Sequence, residues 1–169
     1  FYGLIPVWTP KMQSVAEPPR LPPFSVFPEG GWVFMGSDAP EAPRLSFESG
    51  LWDGHGHSWY HKHAITLDGW GERLLITRHH LSYDDARSRH TMSTKLYNTF
   101  APGGRDQDAT GTPGRGARLI KADDRGAVVL VKSDNATAWK QNVKRAVRHV
   151  LFIRPNVVVV QDVDDPDFL

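Results

Sequence analysis

The stretch Gly54-His55-Gly56-His57-Ser58-Trp59-Tyr60-His61-Lys62-His63 gathers four of the chain's 8 histidines. Imidazole binds metal ions and moves protons near neutral pH. Two histidines at i and i+2 on a strand face the same side. His55/His57 or His61/His63 can therefore chelate one ion or line one cleft. Zinc would need a further ligand, and His79, His80, His90 or Asp68 can supply it. The plain alternative is a solvated histidine-rich loop. An expression remnant does not fit, because Trp, Tyr and Lys interleave with the histidines.

The elements that must hold this stretch are short. Gly 15 and Pro 13 are spread throughout the 169 residues, and neither residue suits a helix interior. Residues 31–35, 45–49, 64–67, 73–77, 127–131 and 147–153 are rich in aromatic or β-branched side chains. They are bounded by Gly, Pro, Asp or Asn. That is the pattern of an all-β chain of many short strands joined by turns. Val150 to Ile153, Arg154-Pro155-Asn156 and Val157 to Val160 predict a hairpin near the core. Residues 1–28 carry seven prolines and are expected to be an extended linker, leaving 29–169 as the domain. Residues 102–116 read as a long surface loop.

Composition excludes several function classes. Hydrophobic residues are 40% and charged residues 23%, which suits a folded domain rather than a disordered chain. Lys+Arg 20 against Asp+Glu 19 argues against a nucleic-acid partner bound by bulk charge. The longest apolar run, Val157 to Val160, is far short of the ~18 residues a membrane span needs. Cysteine is absent, so disulfides and thiolate metal sites are excluded. The chain opens on Phe1 and ends in a charged turn, and it is expected to continue in both directions. Neither Gly103-Gly104 nor residues 111–116 follow a strand and open a helix, so a phosphate loop is not expected.

Several segments together resemble the β-sandwich domain of heparinase II/III-like polysaccharide lyases. They are Phe27-Pro28-Glu29-Gly30-Gly31-Trp32-Val33-Phe34-Met35, Ser49-Gly50, Gly54-His55-Gly56-His57, Ala64 to Leu67, Gly71 to Thr77, Tyr83, Ser93 to Thr99, and Arg148 to Asp162. The resemblance covers roughly residues 24–165. It implies an antiparallel β-sandwich, incomplete at its C-terminal end, from a protein that also carries an α/α toroid. It implies cleavage of an acidic, uronic-acid polysaccharide by β-elimination, in a secreted or periplasmic setting. In such enzymes the base Tyr and one His come from the toroid, and the sandwich adds a His and often a metal site.

By that resemblance His55 is a cleft and catalytic candidate, with His61 its counterpart in the second pair, and His57 and His63 are metal candidates. The family's Asp and His ligands correspond to Thr77 and Tyr97, poor zinc ligands, so a site for zinc or another divalent cation is expected to be rearranged or lost. Trp59 can stack on a sugar or fill the core, and Tyr97 can donate to a sugar or pack in a strand. Asn98 can tie a loop or donate to a uronate carboxylate, and Arg78 can clamp an anionic group. Two further readings follow from the same residues: a carbohydrate-binding module without catalysis, and a histidine-rich metal-binding module.

Overall fold

A computed structural model describes residues 21–39, 41–52, 59–77, 81–82, 84–107, 112–139 and 143–164. The described chain is an antiparallel β-sandwich. One sheet runs in the order β1 (Phe24–Phe27), β2 (Trp32–Met35), β3 (Arg44–Glu48), β4 (Ile65–Gly69), β5 (Glu72–Leu75). The other runs β6 (Arg118–Asp124), β7 (Val128–Asp134), β8 (Ala146–Ile153), β9 (Val157–Asp164). Single turns of helix, Ser88–Thr91, Thr94–Leu96 and Pro102–Gly104, sit in the long connection between the sheets.

The layers form because side chains alternate across each strand. In β2, Val33 and Met35 point into the sandwich while Trp32 and Phe34 point out; in β7, Val129 and Val131 point in. The core joins those residues to Leu45, Phe47 and Ile65 of the first sheet and Val150 and Phe152 of the second. A second cluster, Trp52, Ala138, Trp139, Val143 and Ala146, closes one end. Ties between layers come from a contact of the Ser49 and Ser133 hydroxyls and from Arg154, whose Nε donates to the Gly36 carbonyl at 2.8 Å.

The predicted hairpin is β8–β9, paired from Ile153↔Val157 to Ala146↔Asp164 around the turn at 154–156. The stretch expected to be linker needs correcting at its end. Phe24–Phe27 pair with β2, so the first sheet begins before residue 29. Residues 1–20 lie outside the described set.

Gly31 shows why the turn after β1 is built on glycine. Its φ is +68°, and a Cβ there would fall 2.2 Å from the Gly50 Cα. Gly31→Ala is expected to cost more than the roughly 1–2 kcal/mol of the left-handed backbone alone, since two main chains must also separate. Urea unfolding checks this; an unchanged midpoint would refute it.

Candidate functional site

The site is built where β3 ends and the chain returns to β4. Residues 61–63 form a turn, with the Ala64 amide donating to the His61 carbonyl at 2.9 Å and the His63 amide to the Glu48 carbonyl at 2.8 Å. The connection between the sheets clamps this turn with side-chain amides. Gln107 accepts from the Lys62 amide through Oε1 and donates to the Lys62 carbonyl through Nε2, each at 2.9 Å. Thr99 Oγ1 donates to the same carbonyl at 2.7 Å. Asn98 does likewise one step on, accepting from the Ile65 amide at 2.8 Å and donating to its carbonyl at 2.7 Å.

At the centre is Glu48, a buried carboxylate holding two basic side chains. Oε2 lies 2.6 Å from His61 Nε2, an ion pair when that imidazole is protonated, and Oε1 contacts Lys62 Nζ. Burial on its own would raise the Glu48 carboxyl. The pairing with His61 and the charge of Lys62 outweigh burial and hold it below the usual carboxylate range. The Lys62 ammonium sits 5.8 Å from the centre of the Trp52 ring, a cation–π contact. The Tyr97 ring lies 5.4 Å from that of His61, and its hydroxyl donates to the Thr91 carbonyl at 3.2 Å. Burial, then the Glu48 charge, push the Tyr97 phenol up, so it stays protonated.

His61 and His63 do not share a face. The i, i+2 rule needs extended backbone, whereas this stretch is a turn with His63 at φ +70°. His63 points into the core, 1% exposed, with Nε2 2.7 Å from Ser133 Oγ and its ring 5.4 Å from Phe47. Burial and then the Arg148 charge keep it well below the ordinary histidine range. Its Nε2 is engaged by Ser133, and the Tyr97 hydroxyl is turned to Thr91. Among the described residues no group of three His, Cys, Asp or Glu side chains is placed to hold a metal ion; His57, the other metal candidate, lies outside them.

The other candidates divide. His55, His57 and Arg78 lie outside the described residues. Trp59 is half-buried beside His61 in the chain. Asn98 spends both ends of its amide on Ile65, so it ties a loop rather than facing a ligand. Glu48, Lys62 and Gln107 were not singled out in the sequence. A carboxylate at a strand end carries no local signal that two basic groups will fold onto it.

No protein-family model matches this chain, and no curated protein matches it by sequence. Solved structures do. A heparinase III structure is 14% identical with a TM-score of 0.69, covering 82% of this chain and 21% of its own. The heparan sulfate lyase of Pedobacter heparinus is 15% identical with a TM-score of 0.68, covering 84% and 22%. A further heparinase III structure is 17% identical with a TM-score of 0.62, covering 85% and 23%. This chain therefore spans about a fifth of those proteins' length, and over that span it has the β-sandwich fold found in heparinase III and heparan sulfate lyase structures.

Proposed function

We propose that this chain is the sandwich portion of a polysaccharide lyase that cleaves uronic-acid polymers by β-elimination, and that His61 stands in its cleft. The fold likeness to lyases of acidic glycans carries the reading. Its partners are an acidic polysaccharide and a helical toroid outside this sequence, and its setting is secreted or periplasmic.

In this reading His61 takes a role for which the core-bound His63 is less suited. In elimination a base removes the C5 proton of a uronate, the C4–O4 bond breaks with its electron pair leaving on O4, and a C4=C5 double bond forms. The departing O4 then takes a proton from an acid. The uronate charge opposes the first step and must be offset by nearby donors. An imidazole backed by a carboxylate is oriented for such proton exchange. His61 is paired with Glu48 through Nε2 and keeps one-fifth of its side chain exposed, although its Nδ1 is buried; His63 is core-bound.

The test is ultraviolet absorbance of the unsaturated product from acidic polysaccharides, using the 169-residue chain and the longest native form. Product is expected from the long form. His61→Ala is expected to lower its rate by about 100-fold or more, the usual worth of a positioned acid or base. Full activity in His61→Ala, with loss in His55→Ala, would move the role to His55. Glycan binding without product would favour the non-catalytic module, a reading supported by the way Tyr97 and Asn98 are tied to neighbouring backbone. Metal content and the response of the unfolding temperature to chelator would decide the metal-binding module.

A further inference from the structure

The outward side of the first sheet carries aromatic surface that the described residues leave open. Phe27, Trp32 and Phe34 are 55%, 38% and 43% exposed. Trp32 and Phe34 lie 6.1 Å apart with planes 16° from parallel, and Phe27 meets Phe34 edge-on at 5.9 Å. An apolar patch of this kind marks a surface that packs against something else. Phe27 and Phe34 line a groove of about 490 Å³ together with Leu21, Pro22, Met35 and Leu45. Its polar groups are largely matched among themselves. The Ser46 and Thr66 hydroxyls contact each other. Arg44 and Asp68, which also line it, are register partners of opposite charge across β3 and β4. The groove thus has no net charge to offer, and the occupant that fits is apolar and uncharged.

The chain carries such a segment close by. The Pro23 carbonyl accepts from the Gly36 amide at 2.7 Å, which pins the start of β1, and the two residues before it already line the groove. Residues 1–10 contain no Asp, Glu, Lys or Arg and include Phe1, Leu4, Ile5, Val7 and Trp8. Pro6 and Pro10 bias them toward polyproline II, the conformation that docks on aromatic-lined grooves. The charges of the segment fall later, at Lys11, Glu17 and Arg20. Residues 11–20 extend to about 31 Å at ~3.1 Å per residue, enough to bring residues 1–10 back over the groove. Tethered this way, the segment meets the groove at an effective concentration on the order of mM, which a free partner must match.

We infer that residues 1–10 seat in this groove as an apolar strap, packed against Phe27 and Phe34. Such a strap is independent of the reaction proposed above.

The chain has no cysteine, so disulfide trapping in the 169-residue protein tests the strap directly. Ser25, which lines the groove, becomes Ser25→Cys and is paired in turn with Gly3→Cys, Leu4→Cys, Ile5→Cys and Val7→Cys. A seated segment holds its side chains in fixed register. One or two of the four pairs should therefore bridge within one molecule at least about tenfold faster than the rest, whereas a free tether samples all four at similar effective concentration. Phe34→Ser should abolish that preference; its side chain points away from the core, so circular dichroism should match the parent. Equal bridging at all four positions would overturn the strap, as would a preference that survives Phe34→Ser. Bridges formed between molecules would place a second copy on this face and overturn it too. A heparan sulfate hexasaccharide that suppresses the preferred bridge would hand the groove to a sugar. Loss of the bridge in the longest native form would hand it to another part of the protein; either result sinks the strap.

Discussion

Replacing Arg148 by Met is expected to destabilise the domain more than any other single change considered, by about 3 kcal/mol. The guanidinium is buried and spends its donors on four bonds. Nε and one terminal nitrogen grip the Asp162 carboxylate, each at 2.7 Å, while the other terminal nitrogen donates to the His63 and Asn98 carbonyls, each at 2.6 Å. Methionine fills much of the volume but satisfies none of these acceptors. Asp162 remains about a third exposed and can recruit water, so the cost sits at the lower end of the ~3–5 kcal/mol for a broken buried pair. The two carbonyls have no such recourse, and they belong to the turn of the site and to its clamp. For a domain of this size the loss amounts to a fall of about 10 °C in Tm. Arg148→Lys keeps the charge without the fork and should fall between the two. Adding Asp162→Asn to Arg148→Met should recover part of the loss, because the unpaired carboxylate is then gone. A Tm for Arg148→Met within a degree or two of the parent would show that the contacts contribute nothing net.

Arg148 also shows where sequence reading reached its limit. The strands were legible because their signal is local: alternation in Trp32 to Met35 or Val128 to Asp134 is written within a few residues. β1 was hidden by Pro22, Pro23 and Pro28, which mark the segment as linker although the four residues between them pair with β2. β6, Arg118–Asp124, carries four charged residues on an edge strand and so lacks the apolar run that marked the others. The site was harder. Four histidines announced chemistry, but which way each pointed depended on a turn at 61–63 and a left-handed backbone at His63. Its organising contacts join residues 14 apart for Glu48–Lys62, 45 apart for Lys62–Gln107 and 85 apart for His63–Arg148. No spacing rule reaches such pairs; they exist only once both sheets are assembled.

The second large effect is acid sensitivity set by His63. Ser133 Oγ lies 3.0 Å from the Arg118 carbonyl and 2.7 Å from His63 Nε2, and it also contacts the Ser49 hydroxyl. Burial keeps the imidazole neutral. A second proton would put a cation in the core beside the Arg148 guanidinium, which donates to the carbonyl of His63 itself. Burial and that neighbouring charge hold its folded-state value well below 6.5, the value expected when unfolded. Between those two values the unfolded chain binds a proton that the folded chain refuses. Folding is thus stabilised at higher pH, and that stability is lost as pH falls below about 6.5, with a limiting slope of about 1.4 kcal/mol per pH unit. Glu48 adds its own loss in a separate, more acidic window, because its lowered carboxylate is protonated more readily when unfolded, from about 4.5 downward. Urea unfolding from pH 8 to pH 5 separates the two. The parent should weaken steadily below about pH 6.5, and His63→Gln, which keeps an N–H donor but cannot titrate, should show a flatter profile there even if it is less stable at pH 8. Parallel profiles for parent and variant would mean that the buried imidazole is not what limits this sandwich in acid.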